Sequence, residues 1–221
     1  MAREVYHKSL KDVQNDLMKM SEMVATAISR AMEALETRDM QASKKVIKDD
    51  LRINKLRFNI EKKCMMLIAT QQPMAKDLRM LGSVINIITD LERIGDHAEG
   101  IAKISVLIGD TPLVKPLIDL PRMADKAVDM LRRTMVAFME KDVETARKIC
   151  DEDDIVDALY DQIYRELLFL MIEKPKIIEG ATHLIWAAHN LERIADRVTN
   201  IAERVVYMVT GKMEELNVSK Y

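Results

Sequence analysis

One segment of this chain is written twice. Residues 90–104 read DLERIGDHAEGIAKI and residues 190–204 read NLERIADRVTNIAER, 100 positions later. Both contain Leu-Glu-Arg-Ile-small-Asp, and both place Ile-Ala at the same later point. The duplication extends upstream at an offset of 103: Asp39 matches Asp142, Val46 matches Ile149, Asp50 matches Asp153, Asn54 matches Asp157 and Leu56 matches Leu159. Pro73 has its counterpart in Pro175. The change of offset means a shorter turn in the second copy. A repeat of this length is a small bundle, not a solenoid unit.

The repeated unit is helical. The chain has only 6 Gly and 5 Pro in 221 residues, and aromatic residues make up 4%. Sheets need frequent turn residues and favour β-branched and aromatic side chains. Instead, apolar residues recur at helical spacing, as in Leu10, Val13, Leu17, Met20, Val24, Ala27, Ala31, Ala34 and Leu35. A break is expected near ETRDM, a second helix from about Gln41 to Gln71, and a third from Pro73 to about Ile108. The stretch GDTPLVKPLIDLP then carries Gly109, Pro112, Pro116 and Pro121. The expectation is an all-α fold of two tandem, pseudo-symmetric three-helix bundles with six long helices. The first covers 1–109 and the second 113–221, with a Pro-rich linker over 110–121 running into the next helix. The many methionines, among them Met18, Met20, Met23, Met32, Met65, Met66, Met123, Met130 and Met135, fall on apolar stripes and read as core filling. An adaptable partner surface is the sharper alternative.

The totals exclude several classes. A net charge of −2 suggests no nucleic-acid binding. Cys64 and Cys150 have no CxxC spacing and read as buried helical thiols of a reducing compartment. No apolar run reaches the length of a spanning helix, and MAREVYHKSLKDV lacks the apolar centre of a signal peptide. These features point to a cytoplasmic protein. There is no phosphate loop and no nucleophile–base pairing, so no enzymatic activity is expected.

The chemistry lies in the acids. In the first copy Leu91, Ile94, Ala98, Ile101 and Ala102 share the core face, and Glu92, Asp96 and Glu99 form the neighbouring stripe. In the second, Leu191, Ile194, Val198 and Ile201 are core, and Glu192 and Asp196 are the acids. Two acids four residues apart repel, and the plain reading is an exposed pair relieved by Arg93 or Arg193. Hairpin geometry adds a sharper reading, because residues equidistant from the turn of an antiparallel hairpin stand level. Asp50 and Asp96 are equidistant from Pro73, and so are Asn54 and Glu92. Asp153 with Asp196, and Asp157 with Glu192, centre on Lys174–Pro175. Each repeat therefore gathers an oxygen-rich square. Four negative charges within about 10 Å repel by kcal/mol amounts, so protons or cations must neutralise them. Oxygen ligands suit Mg, Mn or Fe. Asp161 and His189, also level with each other, extend the second square. His7, His97 and His183 read as surface or capping residues.

With its tandem three-helix repeats and Glu-Arg-Ile-Gly/Ala-Asp segments, the chain resembles the PhoU family, from about Tyr6 to Gly211. The resemblance implies multinuclear metal binding through the family's acidic motif, which falls here on Glu92 and Asp96, Glu192 and Asp196, and Asp153 and Asp157. Asp50 fits the first copy, whereas Asn54 departs from the pattern. Iron is the metal implied first, with Mn, Zn or Mg as alternatives. The resemblance further implies a negative regulator of phosphate uptake and of phosphate-starvation signalling. Its implied partners are the ATPase subunit of a phosphate ABC transporter and a sensor histidine kinase. It would be a homodimer, peripheral to the membrane only through partners. Two other readings stand beside it. A ferritin-like carboxylate-bridged di-metal oxidase would need Glu-x-x-His pairs on the core face, and the acids here lie beside that face. A metal-free helical scaffold would leave the acids merely solvated.

Overall fold

The computed structural model describes residues 2–216, which contain seven α-helices and no strand. The helices are α1 (Ala2–Thr37), α2 (Met40–Gln71), α3 (Ala75–Ile108), α4 (Asp119–Glu140), α5 (Val143–Asp151), α6 (Asp153–Glu173) and α7 (Ile178–Thr210). No helix among the described residues is long and apolar enough to cross a membrane. The expected fifth helix is divided at Glu152 into α5 and α6. The N–H of Glu152 bonds to the carbonyl of Ile149, three residues back, which interrupts the regular ladder.

The same turn chemistry opens the second helix of each repeat. Arg38 and Lys141 take positive φ values of 56° and 60°. The N–H groups of Asp39 and Asp142 then bond at 2.9 Å to the carbonyls of Ala34 and Ala137. Their carboxylates cap the next helix, Asp39 accepting from the N–H groups of Gln41 and Ala42, and Asp142 from that of Thr145. Such caps are each worth about 1 kcal/mol. The second turns differ. Gln72, Pro73 and Met74 link α2 to α3, whereas Pro175–Ile177 form a 3-10 turn ahead of α7. The Pro-rich stretch is irregular only to Ile118. Pro121 already sits in the first turn of α4, where a missing N–H costs nothing.

The two bundles share one hydrophobic core. α1, α2 and α3 pack on one another, as do α4, α6 and α7, and the halves join through α3 against α7 and α1 against α4. Polar contacts fix α3 and α7 as antiparallel. Arg79 donates to the carbonyl of Met208 and Ser83 to that of Arg204. Arg197 lies 3.4 Å from Asp90, and His97 lies 3.0 Å from Asn190. Position 90 of one copy thus meets position 197 of the other, and position 97 meets position 190. The repeated segments are each other's packing partner around a pseudo-two-fold.

Cys64 and Cys150 are buried free thiols, and burial pushes both up to about 12. Met20, Met32, Met123, Met130 and Met135 fill the core, and Met18 and Met23 are half-buried. Met65 and Met66 depart from the core-filling expectation and are exposed on α2.

Candidate functional site: two acidic clusters

The first cluster lies between α2 and α3. Gly95 lets the helices approach: a Cβ there would stand 3.1 Å from Asp50 Oδ1 and 3.4 Å from Ile53 Cδ1. Asp50 is therefore buried, and Asn54 Nδ2 donates to its Oδ2 at 2.9 Å. Burial, then the charges of Asp96, Glu99 and Glu92, raise the Asp50 carboxyl from 3.8 to about 6, against the hydrogen bond from Asn54. The hairpin expectation that Asp50, Asn54, Glu92 and Asp96 gather is met, and Glu99 joins them electrostatically. Asp50 Oδ1 and Asn54 Oδ1 are buried oxygens with no hydrogen-bond partner.

The second cluster lies between α6 and α7, where Ala195 takes the place of Gly95. Asp153 is buried, and Asp157 and Glu192 are half-buried. Burial, then Asp196, raise Glu192 from 4.5 to about 7. Arg193 opposes the rise, and Asp157 and Asp153 add to it. The Asp157 carboxyl is also pushed up, by burial and then by Asp196, Asp154 and Asp161. His189 Nδ1 is 3.4 Å from Glu192 Oε2, and the imidazole rests against the ring of Tyr160. Asp161 pairs with Arg165 at 3.1 Å.

Neither set lies wholly at the surface. Asp50 and Asp153 are buried beneath the half-buried acids, Asp50 where Gly95 lets α3 approach α2. The plain reading also has substance. Arg93 pairs with Asp96 at 3.2 Å, Arg193 with Asp196 at 2.6 Å, and Lys103 with Glu99 at 2.6 Å. With the side chains so turned, no three His, Cys, Asp or Glu groups among the described residues converge on one metal position. The donor set nevertheless fits a hard cation. It is all oxygen apart from His189, it holds carboxylates whose ionisation burial and mutual repulsion oppose, and in the first set it leaves Asp50 Oδ1 and Asn54 Oδ1 buried without a hydrogen-bond partner.

His97 is not a surface residue. It lies half-buried between α3 and α7 against Asn190, and burial lowers its pKa. A further constellation escaped the sequence reading. Arg30 pairs with Asp49 at 3.2 Å, and Arg133 pairs with Glu152 at 2.7 Å. The same brace ties the first helix of each repeat to the second. Lys126 adds to the second brace, and Glu152 is held down at about 2, chiefly by Arg133. Applying the offset of 103 to basic residues as well as acidic ones would have found it.

The PhoU domain model matches residues 17–105 and 120–205. Among curated proteins, a phosphate-specific transport system accessory protein PhoU homolog of Clostridium acetobutylicum is 38% identical, covering 98% of this chain and 100% of its own length. One from Aquifex aeolicus is 37% identical, covering 93% of both chains. The crystal structure of PhoU from Pseudomonas aeruginosa superposes with a TM-score of 0.89 at 32% identity, over 94% of this chain and 100% of that one. The phosphate transport system regulatory protein PhoU from Streptococcus pneumoniae gives 0.89 at 30% identity, over 95% and 99%.

Proposed function

The chain belongs to the PhoU family, and from that premise we propose that it is a non-enzymatic regulatory adaptor of phosphate transport. It restrains phosphate uptake and phosphate-starvation signalling by docking to the ATPase subunit of a phosphate ABC transporter and to a sensor histidine kinase, as a homodimer. The observation that carries this reading is the match, along nearly the whole chain, to proteins named as accessory to phosphate-specific transport. Deleting the gene in its host should derepress phosphate uptake in phosphate-rich medium. Uptake and its regulation left unchanged in both rich and starved cells would refute it.

We further propose that the two clusters hold metal ions, iron foremost, with Mn, Zn or Mg as alternatives. Asp50, Asn54, Glu92 and Asp96 would form one set, with Glu99 beside them. Asp153, Asp157, Glu192 and Asp196 would form the other, extended by Asp161 and His189. Bound cations would supply positive charge that neutralises the acids and would bridge the second and third helices of each repeat. The two unpartnered buried oxygens and the raised carboxyls support this reading. The second set has a carboxylate at Asp157 where the first has the amide of Asn54, and should bind more tightly.

A further inference from the structure

We propose that the outer face of α2 docks directly on an anionic lipid bilayer. Every exposed position of this helix is basic, apolar or neutral, and none is acidic. α2 contains three acids. Asp50 is buried, Asp49 is held by Arg30 at 3.2 Å and Arg52 at 3.7 Å, and Glu61 is held by Arg57 at 3.7 Å. Lys44, Lys45, Lys48, Lys55 and Lys62 are exposed and have no ion-pair partner among the described residues. A chain of net charge −2 thus concentrates uncompensated positive charge on one helix face.

Apolar side chains share that face. Leu51 is 70% exposed, Phe58 61% and Met65 56%. They recur every seven residues, so they form a single stripe with rungs about 10 Å apart. The core residues Val46, Ile53, Ile60 and Cys64 lie on another face of the helix, and Lys44, Lys48, Lys55 and Lys62 stand opposite them. Lys55 and Lys62 border the stripe on one side, and on the other it meets Asn54, whose amide donates to the buried Asp50, and Glu61, which Arg57 holds at 3.7 Å.

The arrangement favours lipid over a protein occupant. Protein hot spots are clustered apolar anchors in desolvated pockets, whereas these three side chains stand singly and exposed, about 10 Å apart, with Lys55 and Lys62 along one side. A bilayer interface accepts separated apolar side chains while lysine stems snorkel to the phosphates, and anionic headgroups answer the charge. Because α2 keeps its inner face packed, no unfolding is required.

The test is co-sedimentation of the full chain with vesicles of phosphatidylcholine alone, or of an equimolar mixture with phosphatidylglycerol. We expect binding to the anionic vesicles alone, lost near 1 M salt where the screening length falls to about 3 Å. A K55Q/K62Q variant should bind about thirtyfold more weakly. F58S/M65S should also bind more weakly, with circular dichroism unchanged because both residues are exposed. No sedimentation with anionic vesicles in dilute salt overturns the proposal, as does binding indifferent to these substitutions. Self-association abolished by the same variants, without vesicle binding, assigns the face to a second copy of the chain and also overturns it.

Discussion

Replacing Glu192 by Gln should stabilise the metal-free protein at alkaline pH. In the second cluster the Glu192 carboxyl is held against its charge, raised from 4.5 to about 7. Each pKa unit is about 1.4 kcal/mol, so ionising this group in the fold costs about 3 kcal/mol more than in the unfolded chain. The side chain is 20% exposed, and Arg193 can turn toward it, so about 2 kcal/mol is expected. For an acid whose folded pKa is raised, the folded state holds the extra proton between 4.5 and 7. Stability therefore falls as pH rises through that window, and the penalty is full above 7. Gln keeps the shape and removes the titration. Urea unfolding in the presence of chelator is the assay. The variant should equal the parent within about 0.5 kcal/mol near pH 4.5 and exceed it by about 2 kcal/mol at pH 8. A variant less stable than the parent at pH 8, or one whose pH dependence is unchanged, would show that Glu192 is not held against its charge.

Three further outcomes are expected. Replacing Glu192 and Asp196 together by Gln and Asn should reduce the metal retained after purification without chelator, by elemental analysis, and should shrink the rise in melting temperature that metal gives the parent. Unchanged metal content would remove the second set as a site. Asn54→Asp should raise the metal affinity of the first set while destabilising the metal-free protein at neutral pH, by calorimetry with and without chelator, because it adds a fourth carboxylate. Glu152→Gln should cost about 1 kcal/mol at pH 7 after allowance for the exposure of Arg133. Because the Glu152 pKa is depressed from 4.5 to about 2, its contribution is present above 4.5 and is lost as pH falls toward 2. Denaturant melts along that pH range would check it.

The ends of the first three helices were legible because local chemistry marks them: Asp39 caps, Pro73 turns and Gly109 stops. The acidic clusters were legible because hairpin level depends only on counting from a turn, and both turns carry proline. Their depth was not, since at Asp50 it depends on the close approach that Gly95 allows, and a sequence shows small residues without showing what they admit. The break at Glu152 left no helix-breaking residue in DEDDIVDAL. It coincides with the ion pairs to Arg133 and Lys126, a tertiary feature. Nor did periodicity reveal that the bundles share a core, because a helix that packs on two neighbours looks much like one that packs on a single neighbour with a wide apolar face.

That shared core makes its own prediction at Gly100, which pattern alone would mark as an easy site for improvement. Gly in a helix interior is less favourable than Ala by about 1 kcal/mol, so Gly100→Ala would ordinarily stabilise. Here a Cβ would stand 2.9 Å from Asn190 Oδ1 and 3.4 Å from its Cγ. Asn190 cannot simply withdraw, because its Oδ1 meets His97 Nδ1 at 3.0 Å and its Nδ2 donates to the carbonyl of Trp186 at 2.8 Å. Displacing it breaks a half-buried contact between the two copies, at about 1–3 kcal/mol. Gly100→Ala should therefore destabilise the protein by about 1 kcal/mol. In an Asn190→Ala background the obstacle is gone, and the same substitution should stabilise by about 0.5–1 kcal/mol. Urea unfolding of the four proteins of this cycle measures the reversal. A Gly100→Ala effect that is the same in both backgrounds would mean that the two written copies of the segment do not meet at Asn190.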